Sequence, residues 1–308
     1  MGSCFSCSCI GRQKKESAFH TAIKSPHGVA YKYYDPYTKA MRDGVDINEW
    51  IERQYQGKLW THFIVYNDQT EKLGLNKTTH GHTKGILCWN EDSVSWLVHS
   101  VPNFPREFKP KDSAAGLGMT ISLIEHGEHI FGQSFVHIEC KMKDLICVSG
   151  ILAQLHAMDP HVYIASADYT PINKRKHGKG QHDTTVSKFE FMQDIIHIAK
   201  PPSLHLDIYE DYLVHEFGGP CLVESWMRGQ SMDETDMVTH VKEMNGFSNL
   251  IYTETHDHSK IAVSTNAQHP WVYIGDLNRM HSQKTRGGGG VVIRDLNLWL
   301  AYRNLIVS

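Results

Sequence analysis

No run in this 308-residue chain approaches the roughly 20 apolar residues that a membrane-crossing helix needs, and no apolar stretch follows the first methionine as a secretory leader requires. The expectation is a chain with neither feature. Cysteine is sparse: of seven, Cys4, Cys7 and Cys9 crowd the start, while Cys88, Cys140, Cys147 and Cys221 are scattered. No paired CxxC…CxxC spacing exists, which removes the common zinc frameworks. An odd count without a leader fits a reducing compartment better than a disulfide scaffold. Net charge is also small, at −3 with histidine counted as neutral.

What the chain does have is histidine, 21 of them. At about pH 5 most exposed histidines, with an ordinary pKa near 6.5, are protonated, adding on the order of 15 positive charges. Attraction to a polyanion such as nucleic acid should therefore strengthen as pH falls. With 41% hydrophobic and 21% charged residues, the chain is long enough for one large core or two fused lobes.

Residues 1–16 read as a tail. Met1-Gly2-Ser3-Cys4-Phe5-Ser6 fits the myristoylation pattern at Gly2. One acyl chain holds a membrane only marginally, but Cys4, Cys7 and Cys9 are candidate palmitoylation sites, and Arg12, Lys14 and Lys15 attract anionic headgroups. The expectation is a cytosolic protein or one anchored to a cytosolic membrane face. The plainer alternative is a cysteine-bearing tail with no anchor.

Beyond the tail, Trp60–Tyr66, Ile86–Trp89, Ser95–His99, Leu222–Trp226, Ile261–Ser264 and Trp271–Ile274 read as strands, bounded by turn-rich segments. Ser113–Ile124, Lys143–Met158 and Phe189–Ile198 read as helical, the last stopped by Pro201-Pro202. Thr170–Thr184 is a polar, basic insertion expected to form a mobile loop; its Lys174-Arg175-Lys176-His177-Gly178-Lys179 either contacts a polynucleotide or is simply solvated. Strands and helices mixed through both halves predict an α/β or α+β layered fold.

The chemistry rests on a pattern that occurs twice. His82-Thr83-Lys84 and His258-Ser259-Lys260 each set a histidine and a lysine two apart, which an extended strand projects from one face. His82 is followed after 21 positions by Asn103, and His258 after 20 by Asn278. Two matched copies predict a pseudo-twofold site. One imidazole attacks phosphorus and the other protonates the leaving oxygen, while Lys84, Lys260, Asn103 and Asn278 stabilise the phosphoryl oxygens, with no metal ion required.

A competing reading takes His80-Gly81-His82 and His256-Asp257-His258 as His-x-His metal ligands, completed by Asp257 or Asp276, though neither continues into the spacing of familiar zinc hydrolases. Arg286 and the run Gly287–Gly290 either offer backbone amides to a phosphate or form a hinge, the hinge being the default.

Gly81–Gly85 (GHTKG), His99–Pro105 (HSVPNFP), Asp257–Lys260 (DHSK), Gly275–Arg279 (GDLNR) and Arg286–Gly289 (RGGG), in this order, closely resemble the deoxyribonuclease II family. Softer similarities at Tyr33-Tyr34-Asp35, Tyr66-Asn67-Asp68-Gln69 and Leu222–Trp226 extend the likeness over nearly the whole chain beyond the tail. The family looks like a diverged branch of the phospholipase D superfamily. The resemblance implies a phospholipase D-like layered sandwich over residues 17–308, with lobes at about 17–185 and 186–308 that each contribute one His-x-Lys. It further implies an acid DNA endonuclease without metal or other cofactor, working through a phosphohistidine and leaving 3′-phosphate and 5′-hydroxyl ends. By motif, His82, Lys84, His99, His258 and Lys260 are the catalytic candidates, with Asn103 and Asn278 on the phosphate; which histidine attacks stays open.

The chain departs from the family pattern in having Ile261 where a tryptophan follows the second motif, and in showing neither leader nor disulfide spacing. Location and pH optimum therefore do not carry over, an acidic lysosome-like compartment being the family's alternative to the cytosolic expectation. Two other functions compete: a phospholipase D-like lipid phosphodiesterase, and a DNA-binding module without turnover.

Overall fold

The computed structural model describes residues 19–70, 75–76, 80–113, 116–141, 146–167, 185–227 and 229–307. The acylation candidates Gly2, Cys4, Cys7 and Cys9, with the rest of the tail, lie outside these residues, as do 168–184, which hold most of the basic insertion. The architecture is mixed α+β: two large sheets and a few short helices.

The first sheet is built from β1 (Phe19–Lys24), β2 (Tyr31–Asp35), β3 (Ala40–Gly44), β4 (His62–Asn67), β7 (Lys84–Trp89), β8 (Ser93–His99), β11 (Gln133–Lys141) and β12 (Val162–Ala165), in the order β12-β4-β7-β8-β11-β1-β2-β3. The second takes β13 (Ser187–Met192), β14 (Ile195–Lys200), β15 (Cys221–Ser225), β16 (Val238–His240), β19 (Lys260–Ser264), β20 (Val272–Gly275) and β21 (Gly288–Ile293), ordered β13-β14-β21-β20-β19-β15-β16. Neighbours run antiparallel except β15 and β16, which are parallel. Short pairs β5 (Gln69–Thr70) with β6 (Leu75–Asn76), β9 (Phe108–Ser113) with β10 (Gly116–Ile121), and β17 (Glu243–Asn245) with β18 (Ile251–Thr253) decorate the sheets.

Strand alternation sorts side chains into three cores. Leu87, Trp96 and Val98 of the first sheet share one cluster with Ile261, Val263, Ile274 and Val291 of the second, so the sheets meet face to face. Their neighbours Ile86, Cys88 and Leu97 point the other way, under α1 (Ile47–Arg53). Ala262, Tyr273 and Val292 pack outward beneath the π-helical turn Ile208–Leu213 and α4 (Val214–Phe217). Burying one such Leu, Ile or Val side chain contributes about 2 kcal/mol. α3 (Ile146–Met158) and α5 (Leu296–Arg303) place Ile151, Leu155, Leu298 and Trp299 in the shared core.

Three expectations change. Ser113–Ile124 is not helical: Gly116–Ile121 is the second strand of a hairpin with Phe108–Ser113, because two glycines and β-branched Thr120 and Ile121 favour extended pairing over a helix. Phe189–Ile198 is likewise a hairpin of β13 and β14, turning at Asp194, whose φ is +77°. Its Phe189 and Phe191 reach the shared core while Glu190 is exposed, a period of two and not of 3.6. The glycine run is no hinge: Gly287 leads directly into Gly288–Gly290, which open the buried β21 between β14 and β20, where a Cβ on Gly288 would sit 2.6 Å from Leu277. Lys143–Met158 is helical from Ile146, residues 142–145 lying outside the described set.

Candidate functional site

The two His-x-Lys segments enter corresponding strands. Lys84 opens β7 and Lys260 opens β19, so each histidine sits on the turn just before its strand. His82 is 7% exposed, and its Nδ1 lies 2.8 Å from Oδ2 of Asp68. A carboxylate only accepts, so this shorter contact places the proton on Nδ1 and leaves Nε2 its lone pair, while Nη1 of the Arg286 guanidinium stands 3.2 Å from the same Nδ1. Oδ1 of the same carboxylate accepts from Lys84 Nζ at 2.6 Å, and Oδ2 also accepts from Arg286 Nη2 at 2.9 Å. Two cations and an imidazole hold the Asp68 carboxyl well below its usual range despite its burial. Burial, foremost, keeps the His82 imidazole neutral, its pKa pushed down to about 3.

His258 has a different setting. Its ring stacks on Phe131 at 3.9 Å and 13°, with Trp226 nearly perpendicular at 4.1 Å. Its Nδ1 lies 3.4 Å from Gln133 Nε2 and 3.8 Å from Oε2 of Glu128. Lys260 donates its ammonium to the carbonyl of His258. Burial and then the Lys84 charge lower the Lys260 pKa to about 7, while burial raises Glu128 to about 7. The Lys84 charge is thus felt at Lys260, 176 positions along the chain.

Each half grips the other's motif. The His82 amide donates to Gly287 O at 2.8 Å, and Arg286 bonds His80 O through Nε and Nη2. The His258 amide donates to Gly132 O at 2.9 Å, Gly132 N–H to His256 O at 2.7 Å, and Lys260 N–H to Ser134 Oγ at 3.3 Å. Gly132 has no room for a side chain, since a Cβ there would meet Asp257 Oδ1 at 2.6 Å.

His99 ends β8, 1% exposed, with Nδ1 accepting from Val101 N–H at 3.2 Å. Its proton therefore sits on Nε2, which has no partner among the described residues. Burial and then Lys84 push its pKa down to about 3. Asn103 lies on the following turn with φ +54°, its amide donating to Gln69 O beside Asp68. Asn278 is buried with Oδ1 unpartnered among the described residues. Asp276 is buried, and burial raises its pKa well above the usual range against the pull of Lys84.

The His-x-His pairs do not converge. His80 stacks on His161 while His82 bonds Asp68; His256 turns to the Thr253 and Thr255 hydroxyls while His258 faces Phe131. Among the described residues no group of three or more His, Cys, Asp or Glu side chains lies close enough to hold a metal ion. The broad histidine titration expected at acid pH is also curtailed: burial depresses His82, His99, His137 and His197 strongly, and His20 and His240 less.

A family model for deoxyribonuclease II matches residues 8–308. The chain belongs to the deoxyribonuclease II family. It is 30% identical to deoxyribonuclease-2 of Caenorhabditis elegans over 253 residues, covering 77% of this chain and 64% of that protein, just under two thirds of its length. It is 26% identical to deoxyribonuclease-2-alpha of Sus scrofa, covering 91% of this chain and 80% of that one. With deoxyribonuclease-2-beta of Homo sapiens the identity is 25%, over 96% and 84%.

Sequence reasoning about this family member missed the residues that hold its histidines. Asp68 stood out only within the family-like Tyr66-Asn67-Asp68-Gln69, with no role of its own, and Arg286 only together with the glycines after it. A polar Asn-Asp-Gln closing the apolar run of β4 was the available signal for Asp68. Phe131 and Glu128 carried none.

Proposed function

We propose that this chain hydrolyses DNA phosphodiester bonds where two phospholipase D-like lobes meet, through a phosphohistidine and without a metal ion, leaving 3′-phosphate and 5′-hydroxyl ends. The carrying observation is the junction itself: each His-x-Lys segment is hydrogen-bonded to the other half, the His82 amide to Gly287 O and the His258 amide to Gly132 O. Catalytic roles fall to His82, Lys84, His99, His258 and Lys260, and phosphate contacts to Asn103 and Asn278.

Strand order supports the pairing of lobes. The run β4-β7-β8-β11-β1 of the first sheet matches β15-β19-β20-β21-β14 of the second. In that match Lys24 corresponds to Lys200, through their pairing with Gln133 and Gly288. Both are buried lysines that donate to three carbonyls: Ser25, Gly28 and His129 for one, Leu204, Lys284 and Arg286 for the other.

The protonation pattern favours His82 as nucleophile. Its Nε2 attacks phosphorus, the P–O5′ bond breaks, and O5′ leaves with the electron pair and takes a proton from His258. Water then attacks phosphorus, passes its proton to His258, and the P–N bond pair returns to His82. Lys84, Lys260 below neutrality and the Nε2–H of His99 offer positive charge and a donor to the phosphoryl oxygens, the task a metal ion otherwise serves.

Supercoiled plasmid incubated from pH 4.5 to 7.5 in excess EDTA, beside His258→Ala, tests this. Nicking that persists in EDTA, yields 3′-phosphates and disappears in the variant is expected. Cutting abolished by EDTA, or 3′-hydroxyl ends, would overturn the mechanism; no cutting at all would leave the lipid or binding-only functions.

A further inference from the structure

The two histidines share a backbone anchor but not their walls. Gly287 and Gly132, whose carbonyls accept the His82 and His258 amides, immediately precede β21 and β11. Asn67 pairs with Lys84 and Ser225 with Lys260, so matching the sheets strand by strand sets Asp68 against Trp226 and Arg286 against Phe131. At His82 these two positions hold a carboxylate and a guanidinium; at His258 both hold aromatic rings. Phe131 and Trp226 are themselves packed edge to face at 5.1 Å and 86°.

We infer that Phe131 and Trp226 are positioning residues that hold His258 as the proton donor, the counterpart of the Asp68–Arg286 clamp on His82, and so divide two otherwise equivalent histidines into different roles. The inference rests on the two-histidine nuclease proposed above.

The physical reason lies in what each wall does to a proton. Asp68 locks a proton on Nδ1 of His82 and leaves Nε2 as a lone pair. A ring face carries negative charge, so the parallel stack on Phe131 favours the imidazolium over the neutral ring and fixes its plane. Glu128 of α2 (His126–His129) lies 3.8 Å from Nδ1 of His258, and burial raises its pKa to about 7, so its charge fades in acid. Asp257 is adjacent in the chain but buried, its Oδ1 engaged by Ser259 N–H. Lys260 donates to the His258 carbonyl, and Lys84 on β7, Lys24 on β1 and Lys260 are the cations that act on Glu128. The parallel ring of Phe131 and the perpendicular ring of Trp226 thus bound the His258 imidazole where a carboxylate and a guanidinium bound that of His82.

The test is an NMR titration of the His258 imidazole, assigned by its loss in His258→Ala, in the DNA-free full chain. It is run with Phe131→Leu, Trp226→Phe and Phe131→Tyr, beside kcat against pH on plasmid. In Phe131→Leu the titration midpoint should fall by about one pH unit, and the alkaline limb of kcat should move with it. The deficit should be about tenfold near neutrality and vanish in acid, with KM little changed. Phe131→Tyr, which keeps the ring, should restore both readouts, and Trp226→Phe should fall between. An unmoved midpoint in Phe131→Leu and Trp226→Phe, or a loss of kcat equal at every pH, would overturn the inference and leave the rings as packing. The titration needs no turnover, so if the wild type fails to cut DNA, failure of the nuclease reading is still told apart from failure of the clamp.

Discussion

Lys84 and Lys260 are the same residue type at matched positions, yet their charges are held differently. Lys84 is paired with Asp68, while among the described residues the Lys260 ammonium has only the His258 carbonyl. Burial and the neighbouring Lys84 charge outweigh the pull of Asp257, Asp276 and Asp68, which leaves Lys260 at about 7. Its charge is therefore present below neutrality and lost above it, so a phosphate bound there releases its hold as pH rises. KM for DNA should climb by about tenfold per pH unit above 7, as the protonated fraction falls. Lys260→Arg keeps its charge throughout, and its KM should stay flat from pH 6 to 9 even if the bulkier fork lowers kcat. A KM that rose equally steeply in Lys260→Arg would assign the alkaline loss to another group.

At the scale of elements, the site is assembled by what precedes two central strands. Gly287 offers its carbonyl to His82, and a Cβ there would strike Met158 O at the end of α3. Gly287→Ala must therefore move either the helix end or the strand entry. The overpacking costs about 1–3 kcal/mol, and a displacement near 1 Å of His82 lowers kcat by about 100-fold. Gly127→Ala, where a Cβ meets nothing within 4 Å, should change neither. Denaturant melts and single-turnover rates on the two variants check the pair, and equal behaviour would deny the strand entry any positioning role.

The same elements show what could be read beforehand. His82, Lys84, His258 and Lys260 were legible because each motif is local and the two copies match in spacing. The strands around them were legible from alternation, as in the run that became His62–Asn67. Asp68 and Arg286 were not, since they stand 14 and 204 positions from His82 and meet it only once the sheets face each other. Phe189–Ile198 misled because a turn at Asp194 falls inside an apolar run, and such a run looks alike in a buried hairpin and a buried helix.

Over the whole molecule, buried ionisable groups pull stability in opposed directions. His82, His99 and His197 refuse protons that the unfolded chain takes up, so stability falls as pH drops from about 6.5 toward 3. Glu224, Asp257 and Asp276 have raised pKa values, so they hold protons the unfolded chain has released, and stability falls as pH rises above about 4. Lys24 and Lys200, near 8, and Lys260, near 7, give up protons early; their penalty is full at acid pH and relieved as pH climbs toward about 10.5. Lys24 and Lys200 already have three carbonyls each, which leaves Lys260 as the penalty a bound anion can relieve. Sulfate keeps one charge state across this range, so its effect isolates the protein's titration. At matched ionic strength it should raise Tm by about 3 °C or more at pH 6 and by much less at pH 9, with chloride as control. An equal gain at both pH values would mean that the anion binds elsewhere, and that the charge between the two sheets is not the one that titrates near 7.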